Sequence, residues 1–159
     1  MTGSDLLALG VALSELAPSA MAESDSVYDV LRFARTDPQT TRMVVARRGI
    51  ELVGLGRLID LGKDGTRRVF ELGGMWVDPT LRRCGLAGAI IDSMLPWLPA
   101  ETELWCTPFA HLMPLYAAHG FEAIDPAAAP APLLDRLSLC TSAQEQAVLV
   151  TRWNQSAPR

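Results

Sequence analysis

The sequence predicts an α/β domain, α+β in some schemes, built on a mixed, mostly antiparallel twisted sheet flanked by helices. Two observations lead there. The hydrophobic pattern is helical through the first forty or so positions and strand-like from Met43 onward, so a helical part precedes a run of strands. Further on, a strand ending at Asp78-Pro79 is followed by a helix from Leu86 and a short strand from Thr102; a strand, a crossover helix and a strand make parallel neighbours. With 159 residues, 49% hydrophobic and 20% charged, the chain suits one domain with one core. Its parts are a helical segment (1–40), a central core (41–124), a connector with a last helix and strand (125–153), and a tail (154–159).

Residues 4–17 carry Leu6, Leu9, Leu13 and Leu16 at helical spacing, between Ser4 as N-cap and Pro18, and read as one helix. Residues 25–36 repeat the pattern with Val27, Val30, Leu31 and Ala34 until Asp37-Pro38, because the residue before a proline is pushed out of the α region. Met43, Val44 and Val45 start a strand that ends at the turn Arg48-Gly49, and Ile50 to Ile59 returns as the second arm of a hairpin. Gly62-Lys63-Asp64-Gly65 makes the next reversal. A third strand runs from Arg67 to Val77, interrupted at Gly73-Gly74, where missing side chains signal a bulge or a close backbone approach. Leu86 to Leu95 is a helix stopped by Pro96, with Leu86, Ile90, Ile91 and Met94 on its apolar face. Thr102 to Cys106 is a strand, and the helix starting near Leu112 keeps Pro114 in its first turn, where the absent N–H goes unmissed. Phe121 to Ile124 reads as a strand, Asp125 to Pro132 as an Ala/Pro connector, Leu133 to Cys140 as a helix and Ala147 to Trp153 as a last strand. The tail after Asn154 frays.

A net charge of −4 argues against nucleic acid as a partner, whereas the pairs Arg47-Arg48, Arg67-Arg68 and Arg82-Arg83 suit a local anion. No stretch approaches the roughly twenty apolar residues of a membrane helix. The run Leu6 to Leu13 lacks the preceding basic residues of a signal peptide. Cys84, Cys106 and Cys140 are odd in number and widely spaced, as reduced thiols are, so a cytoplasmic protein is expected. His111 and His119 are the only histidines and no Cys-x-x-Cys run exists, so no metal is expected.

The segment with chemical content leads from the third strand through Asp78-Pro79-Thr80-Leu81 into Arg82-Arg83-Cys84-Gly85-Leu86-Ala87-Gly88 and its helix. A loop opening into a helix N-terminus offers unpaired N–H groups and the macrodipole to an anion, and small residues let the backbone approach it. A phosphate fits. The same glycines would serve a plain strand-to-helix turn, and these residues alone leave both readings open. Gly54-Leu55-Gly56 is only a stray Gly-x-Gly, and Gly62-Lys63 lacks P-loop spacing.

In its wider context this segment resembles the GCN5-related N-acetyltransferase (GNAT) superfamily. The acyl-CoA signature of that superfamily, Gln or Arg, two residues, Gly, one residue, then Gly or Ala, is matched by Arg82, Gly85 and Ala87, after a strand ending Trp76-Val77-Asp78-Pro79. A tyrosine followed by Gly-Phe is matched by Tyr116, Gly120 and Phe121. The resemblance covers Thr41 to Ile124 and extends to Ala147 to Trp153. It implies a parallel strand pair splayed at an acyl-CoA site, acetyl-CoA as co-substrate and no metal. It also implies that the backbone of Arg82, Arg83, Cys84, Gly85, Leu86, Ala87 and Gly88 holds the pyrophosphate, and that Met75, Trp76 and Val77 pair with the pantetheine arm like an added strand. There are two departures. Members begin with a strand, where residues 4–17 here read as helix, and Phe109 stands where many carry an asparagine.

The activity so implied is transfer of an acyl group to a primary amine by direct attack in a ternary complex. An alkylamine is mostly protonated at neutral pH and the thiolate must be taken away, so a carboxylate acting through water and a phenol suit the two proton transfers. Glu71 and Tyr116 are the candidates, matching the fourth-strand glutamate of histone-acetylating members and the tyrosine that many members use on the thiolate. The competing readings are a cross-strand ion pair with an arginine for Glu71 and a core aromatic with a satisfied hydroxyl for Tyr116. His111 reads as a surface residue, His119 as a helix end, and Cys84 as structural filler beside the alternative of an oxidisable thiol. The acceptor is an amine of a small molecule or of a protein, a homodimer is compatible, and the alternative function is a catalytically silent acyl-CoA sensor.

Overall fold

The computed structural model describes residues 3–136 and 151–153. Its strands are β1 (Val11–Leu16), β2 (Thr41–Arg48), β3 (Glu51–Asp64), β4 (Arg67–Val77), β5 (Thr102–Cys106), β6 (Phe121–Ala123) and β7 (Thr151–Trp153). They form one mixed sheet in the order β1-β2-β3-β4-β5-β7-β6, antiparallel at its ends with β4 and β5 parallel. The helices are α1 (Gly3–Ala8), α2 (Asp25–Leu31), α3 (Leu86–Met94), α4 (Met113–Ala117) and α5 (131–136). By compactness the chain divides into two units, Met1–Leu58 with Gly74–Leu98, and Ile59–Gly73 with Pro99–Arg159.

In the first unit, residues 4–17 are not one helix. Gly10 adopts φ +65° and ends α1, after which Val11 to Leu16 pair with β2 from Val11↔Arg48 to Leu16↔Met43. The four leucines satisfy a helical period, but a complete antiparallel ladder and a left-handed glycine outweigh a weak local preference. The first strand that the superfamily pattern calls for is therefore present. α2 also stops earlier than its pattern suggests. Arg32 turns left-handed at φ 56°, and the N–H of Phe33 donates to the Tyr28 carbonyl at 2.8 Å. The core beneath collects Leu16, Met21, Tyr28, Met43, Val45 and Leu55.

The hairpin turn falls at Gly49-Ile50, one residue beyond the Arg48-Gly49 that the sequence suggests, with Gly49 at φ +63°. β3 runs past Ile59 to Asp64. Gly54 and Gly56 lie where α3 crosses β3, and a Cβ there would sit 3.0 Å from Ile90 Cδ1 and 2.9 Å from Ile90 Cγ2 respectively. The Gly-x-Gly is thus a seat for a helix. Gly56→Val should cost about 2 kcal/mol by overpacking, measured as a lowered urea midpoint at unchanged slope; an unchanged midpoint would show that α3 can shift freely.

In the second unit β4 pairs β5 in parallel from Arg68↔Thr102 to Leu72↔Cys106. The parallel pairing is as expected, but Met75 to Val77 lie beyond the paired residues. β7 runs antiparallel to both β5 and β6, and Val69, Trp105 and Leu133 pack together as a core. Pro114 sits in the first turn of α4. The last helix begins two residues before Leu133. Its expected continuation at 137–140, with Cys140, and the expected start of the last strand at 147–150 lie outside the described residues.

Candidate active site

The loop from β4 to α3 belongs to the first unit. Asp78 caps the 3-10 turn Pro79–Leu81, accepting from the Thr80 hydroxyl at 2.5 Å and the Thr80 N–H at 2.9 Å. These two bonds, with the charges of Arg48 and Arg82 behind them, hold its carboxyl below the usual range. Beyond it Arg83 and Gly85 both take left-handed φ, 59° and 85°, and curl the loop around Cys84. The Cys84 thiol donates to the Leu81 carbonyl at 2.8 Å, a structural use. α3 begins with the Ala89 N–H donating to the Gly85 carbonyl at 3.1 Å. The first-turn N–H groups, those of Leu86, Ala87 and Gly88, therefore have no acceptor within the helix. Arg82, Arg83 and Gly85 are exposed while Leu86 and Gly88 are buried. The turn thus shows backbone and guanidinium groups outward and anchors itself by its apolar side, an arrangement suited to an anion.

The direction of β4 follows from one bond. The Asp78 N–H donates to the Val53 carbonyl on β3 at 2.9 Å. Backbone groups alternate along a strand, so those of Trp76 also face β3, while those of Met75 and Val77 face away from it. Arg82 agrees, its Nε donating to the Val77 carbonyl at 3.2 Å on that far edge. Burial changes along the strand as well. Val69 to Leu72 are buried where the register with β5 holds, and Gly73 to Val77 are half-buried beyond it. An extended chain laid along Met75 to Val77 would find donors and acceptors in strand register.

Glu71 and Tyr116 belong to the second unit. Glu71 is 4% exposed and its Oε2 accepts from Nε of Arg136 on α5. The ion pair weighed from the sequence exists, although its arginine comes from a helix instead of a neighbouring strand. Tyr116, 3% exposed, packs edge-on against Phe121 with ring centroids 5.7 Å apart. Its hydroxyl is hydrogen-bonded to Cys106, and burial, followed by Cys106, drives its pKa well above the ordinary value. Burial and then the Glu71 charge raise the Cys106 thiol likewise, against the opposing pull of its bond to Tyr116. Cys106 is the group on which both candidates act, and nothing in the sequence marks it beyond its place at the end of a strand. His111 is exposed and stacked on Phe109, with ring centroids 5.9 Å apart, while the His119 carbonyl accepts from Trp153 Nε1 at 3.1 Å. Among the described residues no group of His, Cys, Asp and Glu could hold a metal ion, and no helix is long and apolar enough to cross a membrane.

Compared with known proteins, residues 11–121 match the model of the Acetyltransferase (GNAT) family. A search of the curated proteins finds no significant sequence relative. Among solved structures, Arabidopsis thaliana NAA60 in complex with acetyl-CoA superposes with a TM-score of 0.65 at 13% identity, over 92% of this chain and 99% of that one. Arabidopsis thaliana Naa50 in complex with the bisubstrate analogue CoA-Ac-MVNAL gives 0.63 at 12% identity, over 91% and 99%. N-acetylglutamate synthase from Neisseria gonorrhoeae, complexed with coenzyme A and N-acetyl-glutamate, gives 0.66 at 12% identity, over 91% of this chain and 35% of that one. At such identities the likeness establishes the fold.

Proposed function

The chain belongs to the Acetyltransferase (GNAT) family, and we propose that it is a single-domain, acetyl-CoA-dependent N-acetyltransferase acting on a primary amine in the cytoplasm. The observation that carries this reading is the exposed loop Arg82 to Gly85 opening into α3, with the far edge of β4 running up to it. In this reading the N–H groups of the loop and first helical turn hold the pyrophosphate, and Met75 to Val77 align the pantetheine arm. The amine nitrogen attacks the thioester carbon, the C–N bond forms and the C–S bond breaks. The amine's proton leaves through water toward Glu71, and the departing sulfur is met by the Tyr116 hydroxyl. That the two Arabidopsis neighbours were solved with acetyl-CoA or a CoA-peptide analogue, and the synthase with an acetylated amino acid, makes peptide N-termini and amino acids the first acceptors to try.

One observation favours the alternative of a silent acyl-CoA sensor: Glu71 and Tyr116 are both buried and already partnered, by Arg136 and Cys106. A screen of peptide and small-molecule amines, read by release of free thiol beside calorimetry of acetyl-CoA, separates the two. We expect binding together with thiol release for at least one amine class. Glu71→Gln should then slow turnover most near neutral pH and recover at alkaline pH, where more amine is already free. Binding without thiol release from any amine would establish the sensor.

A further inference from the structure

The first unit buries a cation that none of these roles uses. Arg57 on β3 is 4% exposed, and a full charge is seldom taken so far from water without partners that exploit it. Its Nη1 donates to the Ala34 carbonyl at 2.8 Å and the Thr36 hydroxyl at 3.3 Å, and its guanidinium lies 4.6 Å above the Tyr28 ring. Tyr28 is fully buried and donates its hydroxyl to the Gly74 carbonyl at 3.0 Å. Gly74 takes φ +59° inside β4, and a Cβ there would lie 2.6 Å from the Tyr28 oxygen and 2.8 Å from Arg57 Nε. The missing side chain is what admits the pair.

Peptide planarity carries this contact to the neighbouring residue. The Gly74 carbonyl and the Met75 N–H belong to one rigid trans unit and point in opposite directions. A glycine next to that unit leaves its tilt soft, so the hydroxyl that fixes the carbonyl also fixes the N–H. Met75 directs this N–H to the edge of β4 that faces away from β3. We propose that Tyr28, braced by Arg57, is a positioning residue for the acyl group: it sets the Gly74–Met75 peptide so that the Met75 N–H meets the thioester carbonyl. This rests on the acyl-CoA reading of the loop. Tyr28 itself touches only protein backbone, and it acts through that peptide.

The test compares acetyl-CoA with free CoA, which shares the pyrophosphate and pantetheine but lacks the carbonyl. Tyr28→Phe should weaken acetyl-CoA roughly fivefold and leave CoA unchanged, as loss of one neutral hydrogen bond implies. The infrared stretch of carbonyl-labelled acetyl-CoA, lowered on binding to the parent, should move back toward its free frequency in the variant. An unchanged affinity ratio together with an unchanged carbonyl frequency overturns the proposal. Should Tyr28→Phe fail to fold, the parent still decides, because the Met75 amide resonance must move when acetyl-CoA replaces CoA, and an unmoved resonance overturns the proposal. A parent that binds neither ligand overturns the acyl-CoA reading and this proposal together, whereas a parent that binds both beside an unaltered variant overturns the proposal alone.

Discussion

Gly85→Glu should weaken acetyl-CoA binding at least about a hundredfold, the combined effect of one unfavourable charge contact and lost helix-terminus donors. Gly85 is exposed, stands immediately before the first turn of α3 and adopts φ +85°. A glutamate there sets a carboxylate against the same N–H groups that the pyrophosphate needs, and an anion already present repels a second. Any side chain at this φ also carries strain of roughly 1–2 kcal/mol, so Gly85→Ala is the control. Alanine brings the strain without the charge and should lose only a small part of the affinity. Calorimetry of the two variants beside their melting midpoints separates the effects. Glutamate and alanine losing the same affinity would make the loss conformational, and a folded Gly85→Glu that binds like the parent would place the pyrophosphate elsewhere.

The parts of the fold legible in the sequence are those in which local and tertiary preferences agree. β4 and β5 have the boundaries their patterns suggest, because Asp78-Pro79 and the apolar alternation point the same way as the sheet. α3 starts at Leu86 for the same reason. β1 was hidden because Leu6, Leu9, Leu13 and Leu16 fit a helix as well as a helix followed by a strand; the ladder to β2 that decides between them lies about thirty residues away in sequence. The same holds at the site. Glycines, arginines and their spacing announce the exposed loop between β4 and α3, since a local backbone turn is a local signal. The brace of Tyr28, Arg57 and Gly74 joins three segments, and each residue alone reads as ordinary core or sheet. Cys106 and Arg136 were missed likewise, because a buried thiol and a helix-borne arginine gain meaning only when Tyr116 and Glu71 are seen against them.

Tyr116→Phe should lower turnover by ten- to a thousand-fold, about 1.4–4 kcal/mol of transition-state stabilisation, while acetyl-CoA affinity stays within about a factor of two. The substitution keeps the ring that packs edge-on against Phe121 and removes only the hydroxyl. That hydroxyl is pushed well above its ordinary pKa by burial, with Cys106 adding to the shift. It therefore remains protonated across the working range of pH and keeps its one O–H. A raised pKa makes outright proton transfer to a thiolate uphill, so the hydroxyl's contribution is a hydrogen bond to the sulfur as charge develops. In the resting protein it spends this bond on Cys106, and the enzyme reading requires the departing sulfur to compete for it. The alternative use is purely structural. There Tyr116→Phe removes one buried hydrogen bond, lowers stability by about 1 kcal/mol and leaves turnover untouched. Both readings lose the Cys106 bond and share that loss of stability, so steady-state kinetics with an accepted amine decides between them: a folded but slow variant assigns Tyr116 to catalysis, and one that turns over like the parent returns it to the core.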